Sequence, residues 1–172
     1  YGSHFVGIWL IPLMIVGLTG LFGVIPYIDP LRKNIKEFLK EYNLFIIGFS
    51  VYMVCIQVLM LLWNLGYEFN IGSFSLPIMG IFSYLLGVLI GRARQNYFIG
   101  IRTPWTLQDD RIWNETHKLG AKVFKGSGLL ALVGIFFPAW GFLLFLVPVL
   151  VGLIAVIVYS YVLYRRYHPN NI

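Results

Sequence analysis

Apolar residues run through this chain in long unbroken blocks, without the alternation of a half-buried strand or the single stripe of a water-facing helix. Four stretches contain no Asp, Glu, Lys or Arg: Phe5 to Ile28, Leu44 to Tyr67, Phe69 to Gly91, and Gly126 to Tyr164. Crossing the hydrocarbon core of a bilayer takes about 20 mostly apolar helical residues, so each of the first three predicts one span. The fourth is too long for one span and just long enough for two, with Pro138-Ala139-Trp140-Gly141 as the turn between them. The span before that turn then borrows length from Leu119 to Lys125, with Lys122 and Lys125 snorkelling to the interface. The pattern predicts an all-α polytopic transmembrane helical bundle with five spans, at about 5–28, 44–67, 69–91, 119–137 and 142–164, forming a single membrane domain over residues 1–172.

The polar positions sharpen this picture. The 13 Lys and Arg fall as four in the 27–43 linker, seven between Arg92 and Lys125, and two at Arg165-Arg166. Basic residues mark the cytoplasmic side of a membrane protein. Five spans put all three basic segments on that side, whereas four would strand Arg165-Arg166 on the other. The N-terminus of this chain is therefore expected outside and the C-terminus in the cytoplasm. The net charge of +6 then reflects orientation and contact with anionic membrane lipids, and no direct nucleic-acid partner is expected. Trp9, Trp63, Tyr67, Trp140, Tyr161 and Tyr164 lie near the ends of these spans, where amphipathic rings favour the interface.

Two shorter patterns refine the elements. In the cytoplasmic linker 29–43, Leu31, Ile35, Phe38, Leu39 and Tyr42 share one helical face while Lys and Glu occupy the other, which predicts an interfacial amphipathic helix. In the third span Ser83, Gly87 and Gly91 recur every four residues. Such small-residue stripes let helices approach closely, and packing inside the bundle is favoured here over a dimer interface.

Composition closes off several kinds of chemistry. The chain is 59% hydrophobic and only 12% charged, half the charged fraction of an ordinary soluble domain, about 25%. A disordered chain would be poor in apolar and aromatic residues, so this is not one, and a soluble enzyme is not expected. Cys55 is the single cysteine, so there is no intramolecular disulfide and no Cys-based metal cluster. His4, His117 and His168 are too far apart in sequence to suggest a metal site, and no cofactor is expected. The sequence has no HExxH, GxSxG or P-loop pattern. Apart from the borrowed stretch 119–125, the interiors of the spans carry no Asp, Glu, Lys, Arg or His, which argues against a proton-coupled transporter or a paired-aspartate intramembrane protease.

Candidate function concentrates in residues 92–122, the longest polar segment, on the predicted cytoplasmic side. Thr106 with Asp109 three residues on suggests a capping box, and Pro104 keeps Thr103 out of helical conformation, so a helix is expected from Leu107 to about Leu119. Its spacing puts Asp109, Trp113, Thr116, His117 and Gly120 on one face and pairs Arg111 with Glu115 on another. Gly120 is placed to end that helix or to let it bend into the next span. Upstream, Gly100 allows backbone conformations that other residues avoid, and Arg102 offers a donor fork for a carboxylate or phosphate. Two readings stand side by side. In one, this is a recognition loop with Trp105 and Trp113 as anchors beside Arg102; in the other, a re-entrant loop rests its Trp rings on the bilayer with Arg102 on a lipid phosphate. A third, enzymatic reading uses His117 and Asp109 as an acid–base pair.

The string Asn96-Tyr-Phe-Ile-Gly-Ile-Arg-Thr-Pro-Trp-Thr-Leu107, followed by Trp113-x-x-Thr-His117-x-x-Gly120, resembles the signature of the SdpI family of multi-pass bacterial and archaeal membrane proteins. The resemblance implies an immunity protein and signal-transducing receptor without enzymatic activity. Such a protein would meet a secreted peptide toxin outside and hold a winged-helix repressor at the membrane inside. Carried over by position, it makes Asn96, Tyr97, Gly100, Arg102, Thr103, Pro104, Trp105, Trp113, Thr116, His117 and Gly120 the candidate binding motif. An alternative is a structural or anionic-lipid-binding membrane protein without a toxin partner. The chain opens on Tyr1, and all four methionines are internal, which suggests a shortened or processed form. Tyr1-Gly2-Ser3 resembles the tail of the extracytoplasmic segment that follows an additional first span in the family, implying a six-span parent with its N-terminus inside.

Overall fold

The computed structural model describes residues 4–137 and 139–169, and the side chains of these from residue 8 onward. Tyr1-Gly2-Ser3 and Pro138 of the predicted turn lie outside the described residues. Among the described residues every regular element is helical: α1 (His4–Ile28), α2 (Arg32–Glu37), α3 (Leu39–Asn64), α4 (Ile71–Arg92), α5 (Asp110–Gly134) and α6 (Gly141–Tyr167). The chain is a polytopic all-α bundle of a multi-pass membrane protein. Four helices, α1 from Ile8, α3, α4 and α6, are long and apolar enough to cross a membrane. α5 is not among them, because a polar first half and Lys118, Lys122 and Lys125 share one helix with the apolar stretch.

The core of the bundle is α4, α5 and α6, with α3 on the outer side of α4 and α1 on α3. Small residues set the closest approach. A Cβ added at Gly80 would lie 2.7 Å from the Gly128 carbonyl oxygen, and one at Gly128 2.5 Å from that of Gly80. One at Gly87 would meet the Ala121 carbonyl oxygen at 2.9 Å, and one at Gly91 the Ala121 Cβ at 3.0 Å. The Ser83 hydroxyl donates to the Phe124 carbonyl at 2.8 Å. The Ser83, Gly87 and Gly91 stripe is thus used inside the bundle, against α5. Toward the far end Gly134 meets Gly141, joining α5 to α6.

The linker departs from the expected single amphipathic helix. It breaks at Phe38, whose backbone leaves helical geometry, and residues from Leu39 onward already belong to α3. Ile35, Phe38 and Tyr42 are buried as the pattern requires, whereas Leu39 points outward because the break rotates the next turn. All three basic segments gather at one end of the bundle. There α2, the 93–109 loop, the start of α5 and the end of α6 are joined by the contacts described next.

Candidate functional site

The 93–109 segment contains no regular element, so its shape depends on side chains that supply the hydrogen bonds a helix would make internally. Asn96 is fully buried. Its amide donates to the Arg94 carbonyl at 2.7 Å and the Ile99 carbonyl at 2.8 Å, while its oxygen accepts from the N–H groups of Phe98 and Ile99. Both donors and both acceptor sites are filled, so the residue acts as a template for the turn. A second knot is formed by Thr103 and Thr106, both buried. Thr106 Oγ1 accepts from the Thr103 N–H at 2.8 Å, and the Thr106 N–H donates to Thr103 Oγ1 at 3.2 Å. Pro104 sits exposed between them.

α5 supplies the platform under this loop. The Trp113 ring is completely buried, donates from Nε1 to the Ala93 carbonyl at 2.9 Å, and stacks on His117 with ring centres 4.0 Å apart. His117 Nδ1 lies 2.8 Å from the Trp113 carbonyl, and a carbonyl can only accept, so Nδ1 carries the proton. Nε2 is then free to accept from the Ile101 N–H at 3.0 Å. Burial pushes the His117 pKa down to about 4, and the neutral ring this leaves is the form that both hydrogen bonds need. Gly100 lies over the two rings with φ +125°, where a Cβ would come 2.4 Å from His117 Nε2. Gly120 accommodates the Ile101 side chain in the same way, at 2.4 Å from a Cβ placed there.

The loop is tied to the rest of the bundle on two sides. Asp29, buried at the end of α1, accepts from the Leu31 N–H at 2.6 Å and from the Tyr97 N–H at 2.9 Å. Asn34 donates to the Gln95 carbonyl at 2.8 Å, and Arg94 pairs with Glu37 at 3.2 Å. On the α6 side the Thr103 and Ser160 hydroxyls lie 3.3 Å apart and Trp105 packs on Tyr161. Within the 96–107 string Tyr97, Phe98, Arg102 and Pro104 remain exposed and Trp105 is half-buried. The Arg102 guanidinium donates to the Tyr97 carbonyl. Among the described residues no three metal-type side chains converge.

This geometry lies within a region that also matches known proteins. Residues 92–160 match the SdpI/YfhL protein family. The chain is also 29% identical, over 165 residues, to the immunity protein SdpI of Bacillus subtilis strain 168, an alignment covering 95% of this chain and 77% of that protein. No solved structure matches significantly.

The structure divides the SdpI-like motif in two. Asn96, Thr103, Trp113, Thr116, His117 and Gly120 are buried and Gly100 is half-buried, while Tyr97, Arg102 and Pro104 are exposed. Trp113 is therefore an internal platform and not an anchor beside Arg102. The expected capping box is replaced by a different start. Asp109 is itself the N-cap of α5, accepting from the Arg111 N–H at 2.8 Å, because Thr106 is already committed to the Thr103 knot. The helix does not end at Gly120 but runs on to Gly134. Arg111 pairs with Asp109 at 2.8 Å instead of Glu115, and Glu115 pairs with Lys118 at 2.7 Å. The hydrogen bond from Arg111 holds the Asp109 pKa below the usual carboxylate value. Asp109 faces Arg111 and His168, and His117 faces Trp113 and Ile101, so the suggested acid–base pair does not meet. Sequence reading missed Asp29. Asp29-Pro30 carries a turn signal, and the bond to Leu31 fits it, but the bond to Tyr97 spans 68 positions and leaves no local trace.

Proposed function

We propose that this chain is an immunity protein of the SdpI type that protects its membrane against a secreted peptide toxin. In this reading the basic end of the bundle faces the cytoplasm and serves as a signalling surface that holds a winged-helix repressor at the membrane. The alignment with the Bacillus subtilis immunity protein across 95% of the chain carries the reading. Its surface is the exposed Tyr97, Arg102 and Pro104 with the half-buried Trp105 beside them, and its support is the buried set of the motif. An Arg fork and a Trp edge are side chains that commonly carry interface energy, about 2 kcal/mol or more at a hot spot.

A lipid-docking reading is favoured by one observation: Tyr97, Phe98 and Arg102 are exposed together, a combination that also suits headgroups. Arg102→Lys separates the two, because a lipid phosphate accepts either cation whereas a bidentate protein contact does not. In cells challenged with toxin, Arg102→Lys and Trp105→Ala should lose protection or repressor capture at unchanged membrane abundance. Full protection by both variants would refute the recognition surface and leave lipid docking.

A further inference from the structure

Beside the signature loop, and reaching His117, lies a polar cleft of about 410 Å³ whose charged walls the function above leaves unassigned. Its walls carry opposite charge. α2 and the first turn of α3 contribute Glu37 and Glu41; Arg92 ends α4, Arg94 follows it in the loop, and Asn114 and Lys118 come from the first turns of α5. Glu37 and Arg94 are paired across it and Lys118 is held by Glu115, while Glu41 and Arg92 form no ion pair among the described residues. Arg92 is the last residue of one membrane-length helix and Glu41 lies in the first turn of another, the level at which lipid headgroups sit.

We propose that this cleft binds the headgroup of one phosphatidylethanolamine molecule from the adjoining leaflet. A phosphoethanolamine group carries a phosphate anion and an ammonium with three N–H donors. Arg92, with Lys118 beside it, takes the phosphate, and Glu41 takes the ammonium. A purely anionic headgroup satisfies the basic wall but leaves Glu41 facing like charge. A choline headgroup keeps the charge but loses every N–H donor.

The test uses the purified full chain in nanodiscs containing equal parts phosphatidylethanolamine, phosphatidylglycerol and phosphatidylcholine, with retained lipids identified by native mass spectrometry. Wild-type protein should retain phosphatidylethanolamine over each of the others by about tenfold, the effect of one charge-assisted hydrogen bond. Glu41→Gln should bring retention of phosphatidylethanolamine and phosphatidylglycerol close to parity, and Arg92→Gln should reduce both. The choline comparison needs no substitution, so it stands even where a variant fails to fold. Equal retention of all three lipids by wild type, the result expected if the cleft takes a peptide, would overturn the proposal, as would a phosphatidylethanolamine preference unchanged in Glu41→Gln. The readout does not involve toxin or repressor, so its failure is distinguishable from failure of the immunity reading.

Discussion

His117 commits both ring nitrogens to backbone groups, one as donor to Trp113 and one as acceptor from Ile101. Protonating Nε2 would set N–H against N–H and place a charge in a buried site. With a folded-state pKa near 4 against an ordinary 6.5, the stability carried by the neutral ring is fully present above about pH 6.5. It is lost as the pH falls from there through 4, in total about 3 kcal/mol. The protection factor of the Ile101 amide, its exchange rate relative to the unstructured rate at the same pH, should fall over that window in wild type, with no corresponding step in His117→Leu. Gly100 is the other single-residue test. Alanine there would have to adopt φ near +125° and would strike His117 Nε2. Gly100→Ala should cost about 2 kcal/mol or more, read as a lower melting temperature in detergent and lower membrane abundance.

Glycines of the same sequence type differ by element. Along α1, Gly17, Gly20 and Gly23 have nothing within 4 Å of an added Cβ, whereas Gly80 and Gly128 face each other's backbone where α4 crosses α5. Gly20→Ala should therefore be neutral or slightly stabilising, since alanine gives up less backbone entropy than glycine in a helix. Gly128→Ala should destabilise by about 1–3 kcal/mol through overpacking. Thermal unfolding of the two variants side by side checks this, and equal melting temperatures would contradict the α4–α5 contact. The linker shows the same dependence on surroundings. Its apolar spacing is helical throughout, yet Phe38 leaves the helix and turns its ring into the cluster with Ile35, Tyr42 and Leu89.

At the scale of the whole molecule, charge placement gives a testable orientation. The contacts of α2, the loop and the end of α6 bring all basic segments to one end, and the proposed reading, with the positive-inside tendency, puts that end in the cytoplasm. Single cysteines placed in right-side-out cells should label from outside at positions 73 and 140 but not at 36 or 118; labelling at 118 would refute the five-span arrangement. The sequence alone determined the membrane-spanning helical class, because a bilayer imposes length and apolarity on each segment independently of its neighbours. It also marked residues 92–122 as the informative stretch, through polarity and motif. Tertiary structure decided which motif residues face outward. Asn96, Trp113 and His117 look like contact chemistry when read in order, but they are consumed by an irregular backbone whose N–H and C=O groups lack helical partners. The Asp29–Tyr97 bond and the opposed walls of the cleft likewise exist only after α1, α2 and α4 meet, since long-range pairing depends on packing and leaves no periodic signal along the chain.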